Sequence, residues 1–250
     1  MRYLLILTAL LSFQSVNALD FDETKALADQ GYAEAQFSLG FMYANGEGVP
    51  ENDAEAVKWY RKVADQGYAE AQFNLALMYD NGEGVPENDA EAVKWYRKAA
   101  EQGVANAQYN LGVMYDNGYG VPENDAEAVK WYRKAADQGY TDAQFNLALM
   151  YRNGEGVPEN DAEAVKWYRK AAEQGVARAQ SNLGFMYFSG ESVPENFVHA
   201  YVWLSMAKTQ GYEIAKGNLE ILKPQMTKQQ IAEAQALAAK CYESDYKDCD

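Results

Sequence analysis

The sequence predicts an all-α protein built as a solenoid of helical hairpins, and three observations support this prediction. The segment GEGVPENDAEAVKWYRK occurs at Gly46–Lys62 and returns unchanged at Gly82–Lys98 and Gly154–Lys170, while Gly118–Lys134 differs only at Tyr119. The tryptophans keep a period of 36 residues, at Trp59, Trp95, Trp131, Trp167 and Trp203. Within each period, apolar residues follow the spacing of two amphipathic helices. Such self-similarity is typical of solenoids, in which each unit buries its apolar face against its neighbours.

The first residues have the composition of an export signal. Arg2 supplies a positive charge, Leu4–Phe13 is an apolar run, and Val16–Ala18 resembles a small-residue cleavage site. The run is too short to span a bilayer as a stable helix, so residues 1–18 are predicted to be a signal peptide cleaved between Ala18 and Leu19. An uncleaved membrane anchor is the alternative. We expect an exported protein, periplasmic or secreted, that is not embedded in a membrane.

The charge balance narrows the class of partner. The chain has 22 Lys and Arg against 37 Asp and Glu, a formal net charge of −15, and loss of Arg2 with the signal leaves −16. This excess of negative charge argues against binding to nucleic acid, which requires basic residues to neutralise phosphates. It argues equally against anionic membrane surfaces. A basic partner or a merely solvated acidic surface is consistent with it.

Each repeat is predicted to contain two helices. The first, 34–44 in the first repeat, buries an apolar stripe that includes Leu39 and Tyr43. The Asn-Gly-x-Gly that follows ends this helix, and Asn52 begins the second as its N-cap, with Glu55 completing a capping box. A small residue recurs in each first helix, where it allows a neighbouring helix to approach closely. These residues are Gly40, Ala76, Gly112, Ala148 and Gly184.

The repeats define the predicted organisation of the chain. It comprises the signal peptide 1–18, an N-terminal half-repeat 19–30, repeats at 31–66, 67–102, 103–138, 139–174 and 175–210, and a C-terminal cap with a tail at 211–250. In the half-repeat, Glu23 stands where the tryptophan would be, which gives a polar end that disfavours stacking of copies. We therefore expect a monomer. The cap is predicted to contain a helix at Glu213–Leu222 and a last helix that begins with a capping box at Thr227 and covers the final repeat.

Few residues have the spacing of a metal, redox or cofactor site. Cys241 and Cys249 are predicted to form a disulfide that tethers the tail, since an exported chain meets an oxidising compartment. A single histidine, His199, is too few for a zinc site of the usual kind. The Asp-Asn-Gly-Glu-Gly loop at Asp80 lacks the alternating ligands and terminal glutamate of a calcium loop. We predict no metal and no cofactor.

A catalytic motif occurs twice in an incomplete form. Ser205–Lys208 and Ser244–Lys247 both match S-x-x-K. A β-lactamase-type site also needs S-D-N and K-T-G partners, which the sequence lacks. We therefore predict no catalytic residue and no enzymatic activity.

The repeat pattern A-x-x-x-L-G/A-x-x-Y-x-x-G-x-G-V, followed by A-x-x-W-x-x-K-A-A, resembles the Sel-1-like repeat (SLR) family, a relative of the tetratricopeptide repeats. The matching residues of the first repeat are Ala35, Leu39, Gly40, Tyr43, Gly46, Gly48, Val49, Asp53, Ala56, Trp59, Lys62, Val63 and Ala64. The resemblance covers Gly31 to about Leu222. It implies a right-handed α/α superhelix whose first helices line a concave face. It also implies an adaptor or scaffold role for an exported bacterial protein.

Two other functions stay open at this stage. One cysteine-rich branch of the family is associated with penicillin or β-lactam binding, but its paired cysteines are absent from these repeats. A β-lactam-binding or hydrolase-like protein is therefore one alternative. A passive structural spacer is another, which the near-identity of the middle repeats permits.

Comparison of the repeats with one another indicates a candidate partner-binding surface. Positions are named here by their numbers in the first repeat: 35, 36, 39, 42 and 43 keep their residues, whereas 34, 37, 41 and 44 vary. The variable positions lie together on a helical wheel, opposite the invariant stripe, and the family resemblance implies that they face the groove. The candidate surface consists of Glu34, Phe37, Phe41, Glu70, Phe73, Leu77, Asp80, Tyr109, Val113, Asp116, Asp142, Phe145, Leu149 and Arg152. Apolar residues flanked by carboxylates suit a protein or peptide partner, either an extended segment or a basic amphipathic one.

Two columns of side chains have structural interpretations as well. The residues at positions 37 and 41 fit a binding groove and the core between repeats equally well. An asparagine ladder is suited either to hydrogen-bonding a peptide backbone or to bridging adjacent helices. Its members are Asn74, Asn110, Asn146, Asn182 and Asn218.

Overall fold

A computed structural model describes residues 20–191 and 193–249, and these residues form helices, turns and loops with no strand among them. Two units divide the chain at 102/103. The first unit contains α1 (Phe21–Asp29), α2 (Ala33–Asn45), α3 (Asp53–Asp65), α4 (Ala69–Asn81) and α5 (Asp89–Glu101). The second unit contains α6 (Ala105–Asn117), α7 (Asp125–Asp137), α8 (Thr141–Asn153), α9 (Asp161–Ala172), α10 (Ala177–Ser189), α11 (Phe197–Thr209), α12 (Glu213–Leu222), a 3₁₀ turn (Lys223–Gln225) and α13 (Lys228–Glu243). The predicted signal peptide and its cleavage site lie outside the described residues.

Helical hairpins are the building block of both units. Each first helix packs against the second helix that follows it, as α2 does on α3 and α8 on α9. Each second helix then packs on the next first helix of its unit, as α3 does on α4 and α7 on α8. Within each unit, the helices of the repeats therefore bury their apolar faces against neighbours in sequence, and the predicted all-α class is confirmed.

The loop inside each hairpin begins with a left-handed residue. Gly46 ends α2 with a φ of 68°, and its N–H donates to the Met42 carbonyl. A side chain is unfavourable in this conformation, so glycine is the residue suited to the turn. At the far end of the loop, the Asn52 side chain accepts from the backbone N–H of Glu55 at 3.1 Å and so caps α3.

The predicted capping box at Asn52 and Glu55 is wrong in its second half. The backbone N–H of Asn52 donates to the Tyr43 carbonyl at 2.8 Å, so this donor is already occupied by the preceding helix. The Glu55 carboxylate pairs with Lys58 on the next turn of α3. The same backbone bond recurs from Asn160 to Tyr151 at 2.8 Å, and it closes the interhelical loop across the hairpin.

Close contact inside the hairpin explains the small residue of each first helix. A Cβ atom added at Gly40 would lie 2.9 Å from the ring of Tyr60 on α3, and one added at Gly112 would lie 2.6 Å from Tyr132 on α7. Where alanine takes this position, as at Ala76, it is fully buried. The two helices thus approach closely enough for the tyrosine ring to lie on the backbone of the first helix.

A buried glutamine at position 36 joins three helices. Gln144 on α8 donates to the Ala136 carbonyl at the end of α7, at 3.2 Å. Its side-chain oxygen accepts from Gln174, just beyond α9, at 2.8 Å. Gln72 makes the same two contacts in the first unit, with Ala64 and Gln102. Each such glutamine therefore links its own hairpin to the hairpin before it.

The C-terminal cap differs from a repeat. Helix α12 packs on α11, and so does α13, which begins with the predicted capping box at Thr227 and Gln230. A disulfide joins Cys241 to Cys249, with Cα atoms 4.4 Å apart. The tail beyond α13 makes a second contact with the fold, because the Tyr246 ring packs against the apolar core of the second unit.

We expect Gln144→Leu to lower the free energy of unfolding by about 1–3 kcal/mol, because both buried hydrogen bonds at the three-helix junction are lost. Urea unfolding of the chain from Leu19 measures the change. Gln229→Leu, which alters an exposed glutamine of α13, is the matched control and should leave the midpoint nearly unchanged. Equal midpoints for both variants would show that the junction does not stabilise the fold.

Candidate partner-binding surface

The acidic residues at position 34 differ in environment between the units. Glu34 and Glu70 are exposed on the first turns of α2 and α4. In the second unit, Asp142 pairs with the guanidinium of Arg178, which comes from the equivalent position of the next repeat. The first unit therefore presents unneutralised carboxylates at this position, whereas Asp142 is compensated.

The aromatic residues at position 37 support the hairpins. Phe37 packs on Tyr60 with ring centroids 5.6 Å apart, and Phe73 packs on Tyr96 at 6.0 Å. In the second unit, Tyr109 lies 5.8 Å from Tyr132 and Phe145 lies 5.7 Å from Tyr168. Phe145 is 8% exposed and belongs to the core. These contacts are made mainly with the second helix of the same repeat.

The apolar residues at position 41 are more accessible. Phe41 is 44% exposed, which is unusual for so large an apolar side chain. Leu77, Val113 and Leu149 are half-buried at the equivalent positions. This column therefore offers apolar area that a partner can cover.

The carboxylates at position 44 are bonded to the second helices. Asp80 accepts a hydrogen bond from the Tyr96 hydroxyl at 2.8 Å, and Asp116 accepts one from Tyr132 at 3.0 Å. Burial raises the pKa of both carboxyl groups above the ordinary aspartate value, and the tyrosine hydrogen bond offsets only part of this effect. In the fourth repeat the position is Arg152, which donates to Glu191 at 3.2 Å.

The asparagine ladder lies beside the tyrosines of the second helices. Burial raises the pKa of Tyr60 to about 12, and a hydrogen bond with Asn74 from the next repeat opposes this shift. Asn146 stands in the same relation to Tyr132, and Asn182 lies beside Tyr168. These asparagines thus bridge adjacent repeats, which favours the structural interpretation of the ladder.

Basic side chains are concentrated on the second helices of the first unit. Lys62 lies 3.6 Å from the ring centroid of Trp59, and Lys98 lies 3.7 Å from that of Trp95. Lys58 is paired with Glu55 on the same helix. Each of these second helices also carries three acidic residues against its three basic ones, so its formal charges balance.

The residues of the S-x-x-K matches occupy ordinary helical positions. Ser205 is half-buried on α11, and Lys208 on the next turn is exposed. The Ser244 hydroxyl donates to the Cys241 carbonyl at 3.0 Å and accepts from the Asp248 N–H at 2.9 Å, so it closes the end of α13. Nothing in these contacts activates a serine as a nucleophile.

The single histidine of the chain, His199, lies in a partly buried aromatic environment. Burial and Arg169 lower the pKa of His199, whose ring lies 5.3 Å from that of Tyr187. Among residues 20–191 and 193–249, no three His, Cys, Asp or Glu side chains are grouped to hold a metal ion. Within the same ranges, no helix combines the length and hydropathy required to cross a bilayer.

Three contributors to the surface were not among the candidate residues. Arg178 places its guanidinium 4.1 Å from the ring centroid of Phe145, Phe185 lies 5.8 Å from the Arg152 guanidinium, and Glu191 pairs with that group. Arg178 and Phe185 belong to the variable positions of the fifth repeat. The signal for them was therefore present in the repeat comparison, whereas the Glu191 contact spans 39 residues and needed the structure.

Consecutive helical hairpins with repeated contacts define an α-solenoid repeat protein. The Sel1 repeat family model matches residues 33–68, 69–104, 105–140, 141–176 and 177–212. The chain belongs to the Sel1 repeat family. Members of this family are commonly protein-interaction scaffolds and are generally non-catalytic.

Solved structures show the same architecture. A protective antigen present in uropathogenic Escherichia coli strains, which displays an SLR fold, is 42% identical with a TM-score of 0.76, over 79% of this chain and 42% of that chain. A Sel1 repeat protein from Oxalobacter formigenes is 38% identical with a TM-score of 0.72, over 76% of this chain and 79% of that one. The present chain thus spans less than half of the Escherichia coli protein. Among curated proteins, none matches the chain significantly.

We expect Asp116→Asn to raise the melting temperature at pH 7. Because burial raises the folded-state pKa of Asp116, its ionisation favours the unfolded chain, and this cost appears as pH rises through the folded pKa. Asparagine stays neutral and still accepts from Tyr132. The difference from the parent should therefore shrink as pH falls toward the unfolded aspartate pKa of about 4.

Circular dichroism melts between pH 4 and pH 7 provide the measurement. Asp137→Asn, which removes one exposed negative charge from the end of α7, controls for net charge. A lower melting temperature for Asp116→Asn at pH 7 would contradict the sign of this effect.

Proposed function

We propose that this chain is an exported, non-catalytic scaffold that binds a protein or peptide partner through the candidate surface. The observation that carries the proposal is the exposure of variable residues on otherwise repeated helices. Phe41 is 44% exposed and Glu34 and Glu70 are exposed. On α2, the invariant residues that are buried are Ala35, Gln36 and Leu39. Variation at accessible positions is expected where a repeat scaffold distinguishes partners.

The chemistry of the first unit supports a basic amphipathic or extended segment as its ligand. Phe41 and Leu77 supply apolar area, and Glu34 and Glu70 supply carboxylates beside it. Apolar anchors give most of the binding energy of such sites, and charges at the rim improve the rate and specificity of association. The position 37 residues contribute by holding the hairpins in place.

Export to the periplasm or the medium is part of the proposal. Its support is the charged, apolar and small-residue sequence of residues 1–18. We expect mass spectrometry of the periplasmic and medium fractions of a Gram-negative host to find a mature chain that begins at Leu19. Ala18→Lys should block cleavage and leave the precursor with the membrane fraction. Recovery of full-length wild-type chain from the cytosol would contradict export.

We expect Phe41→Ala combined with Leu77→Ala to abolish capture of a partner without lowering the melting temperature by more than a few degrees. Both side chains are partly exposed, so truncation removes binding area and little core. The measurement is a pull-down from envelope and culture-supernatant fractions, with the chain from Leu19 as bait and melting curves for each variant.

Phe145→Ala is the matched structural control. Its ring is buried against Tyr168, so we expect a loss of about 3–5 kcal/mol of stability. Retention of a specific partner by the double variant would remove the position 41 column from the binding surface. Absence of any specific partner in all fractions would favour the spacer interpretation.

A further inference from the structure

Position 44 changes sign within the second unit, from Asp116 in the third repeat to Arg152 in the fourth. In the third repeat, the Asp116 carboxylate accepts from the Tyr132 hydroxyl at 3.0 Å. The equivalent tyrosine of the fourth repeat, Tyr168, is 0% exposed, and its hydroxyl has no hydrogen-bond partner among the described residues. The fourth repeat has therefore kept a buried donor and replaced its acceptor with a cation. A buried hydroxyl in this state is unfavourable.

Arg152 lies beside this hydroxyl and is half-buried. Burial raises the pKa of Tyr168, and the neighbouring Asn182 and the Arg152 guanidinium offset only part of this rise. The same guanidinium pairs with Glu191 at 3.2 Å, in a contact where the side chains are 30% and 45% exposed. Exposed pairs of this kind contribute little to stability, so another carboxylate can replace Glu191 at small cost to the fold.

The surrounding residues form walls for a small anionic group. The Phe145 ring packs on Tyr168 with centroids 5.7 Å apart, and the Phe185 ring lies 5.8 Å from the Arg152 guanidinium. Arg178 is engaged by Asp142, so this nearby charge is already compensated. What remains is one exchangeable guanidinium, one buried hydroxyl donor and two aromatic rings.

We propose that Arg152 and the Tyr168 hydroxyl form a carboxylate-binding subsite, which takes an acidic side chain or the C-terminal carboxylate of a protein partner. The ligand's carboxylate occupies the place that the Asp116 carboxylate holds in the third repeat. The Tyr168 hydroxyl is buried, so the half-buried Arg152 side chain has to shift for a carboxylate to contact both groups. This inference rests on the proposed function, because the ligand is a segment of a protein. It adds that the part of this segment that binds at the fourth repeat carries a carboxylate.

The donor set favours a carboxylate. A guanidinium forms two parallel hydrogen bonds with a carboxylate, and a tyrosine hydroxyl adds a third donor to the same group. The Arg152–Glu191 pair shows that a carboxylate fits against this guanidinium. An amide of the same shape would lack the charge that the guanidinium selects.

The first arm of the test is an NMR titration of the chain from Leu19, labelled with nitrogen-15. The probes are acetyl-Gly-Glu-Gly-amide, acetyl-Gly-Gly-Gly with a free carboxylate, and acetyl-Gly-Gln-Gly-amide as the neutral isostere. We expect the Arg152 Nε–H resonance to shift with a carboxylate peptide and not with the glutamine peptide. A shift with the glutamate probe alone assigns the subsite to a side chain, and one with the free carboxylate alone assigns it to a C-terminus.

Substitutions supply the second arm. Arg152→Asp installs the residue of the third repeat and gives Tyr168 an internal acceptor, so the variant should melt no lower than the parent while binding falls by at least about tenfold. Tyr168→Phe should weaken peptide binding about threefold or more while the fold stays intact. This variant tests the subsite if Arg152→Asp lowers the melting temperature. Glu191→Gln removes the internal competitor and should tighten binding by about twofold or more.

Tyr132→Phe is the matched control, since it removes the same hydroxyl from the third repeat and should leave the titration unchanged. The subsite is overturned if Arg152→Asp and Tyr168→Phe bind like the parent, if the glutamine peptide shifts Arg152 equally, or if inorganic phosphate binds more tightly than either carboxylate peptide. Its failure is distinguishable from failure of the proposed function, because the titration uses defined peptides while the pull-down requires a natural partner.

Discussion

The buried glutamine at position 36 sets the relation between successive hairpins within each unit. A buried amide is tolerated only when its polar atoms are bonded, and Gln144 achieves this by reaching Ala136 behind it and Gln174 ahead of it. Both partners lie at the ends of second helices, so the amide holds two such ends at fixed distances from one first helix. Displacement of any of these helices would leave a buried polar group unbonded. The position of every surface residue on the first helices follows from this arrangement.

The residues at positions 37 and 41 have different roles: those at position 37 stabilise the hairpin, and those at position 41 are more exposed. Close approach at Gly40 brings Tyr60 onto α2, and the Phe37 ring then packs on that tyrosine. Phe41, one turn further along, extends past the tyrosine and is 44% exposed. A helical wheel places these two residues side by side and cannot separate them. The difference arises from the depth to which the second helix approaches, which depends on a glycine or alanine at position 40.

Sequence patterns within a few residues predicted the helices well. The features that they did not predict depend on contacts between residues distant in sequence. The helix at Glu213–Leu222 was predicted with the boundaries that the structure shows, because Pro224 and the apolar spacing are local. The capping box at Asn52 failed because the Tyr43 carbonyl, across the interhelical loop, occupies the Asn52 donor. The packing of Tyr246 depends on contacts with the core of the second unit, for which the tail sequence offers no pattern. Motifs of three or four residues carry no information about such competitors.

In a repeat protein, a functional difference is easiest to recognise where one repeat has a different residue that changes the hydrogen bonds but leaves the packing of the side chains unchanged. Each repeat contacts only its neighbours, so one substitution need not propagate along the stack. Phe145 and Tyr168 in the fourth repeat keep the ring distance of 5.7 Å that Tyr109 and Tyr132 hold at 5.8 Å in the third. Arg152 therefore changes the hydrogen bonding of a tyrosine whose packing is preserved. The proposed carboxylate subsite rests on this difference, because a preserved ring position combined with a lost acceptor leaves a donor that a ligand can use.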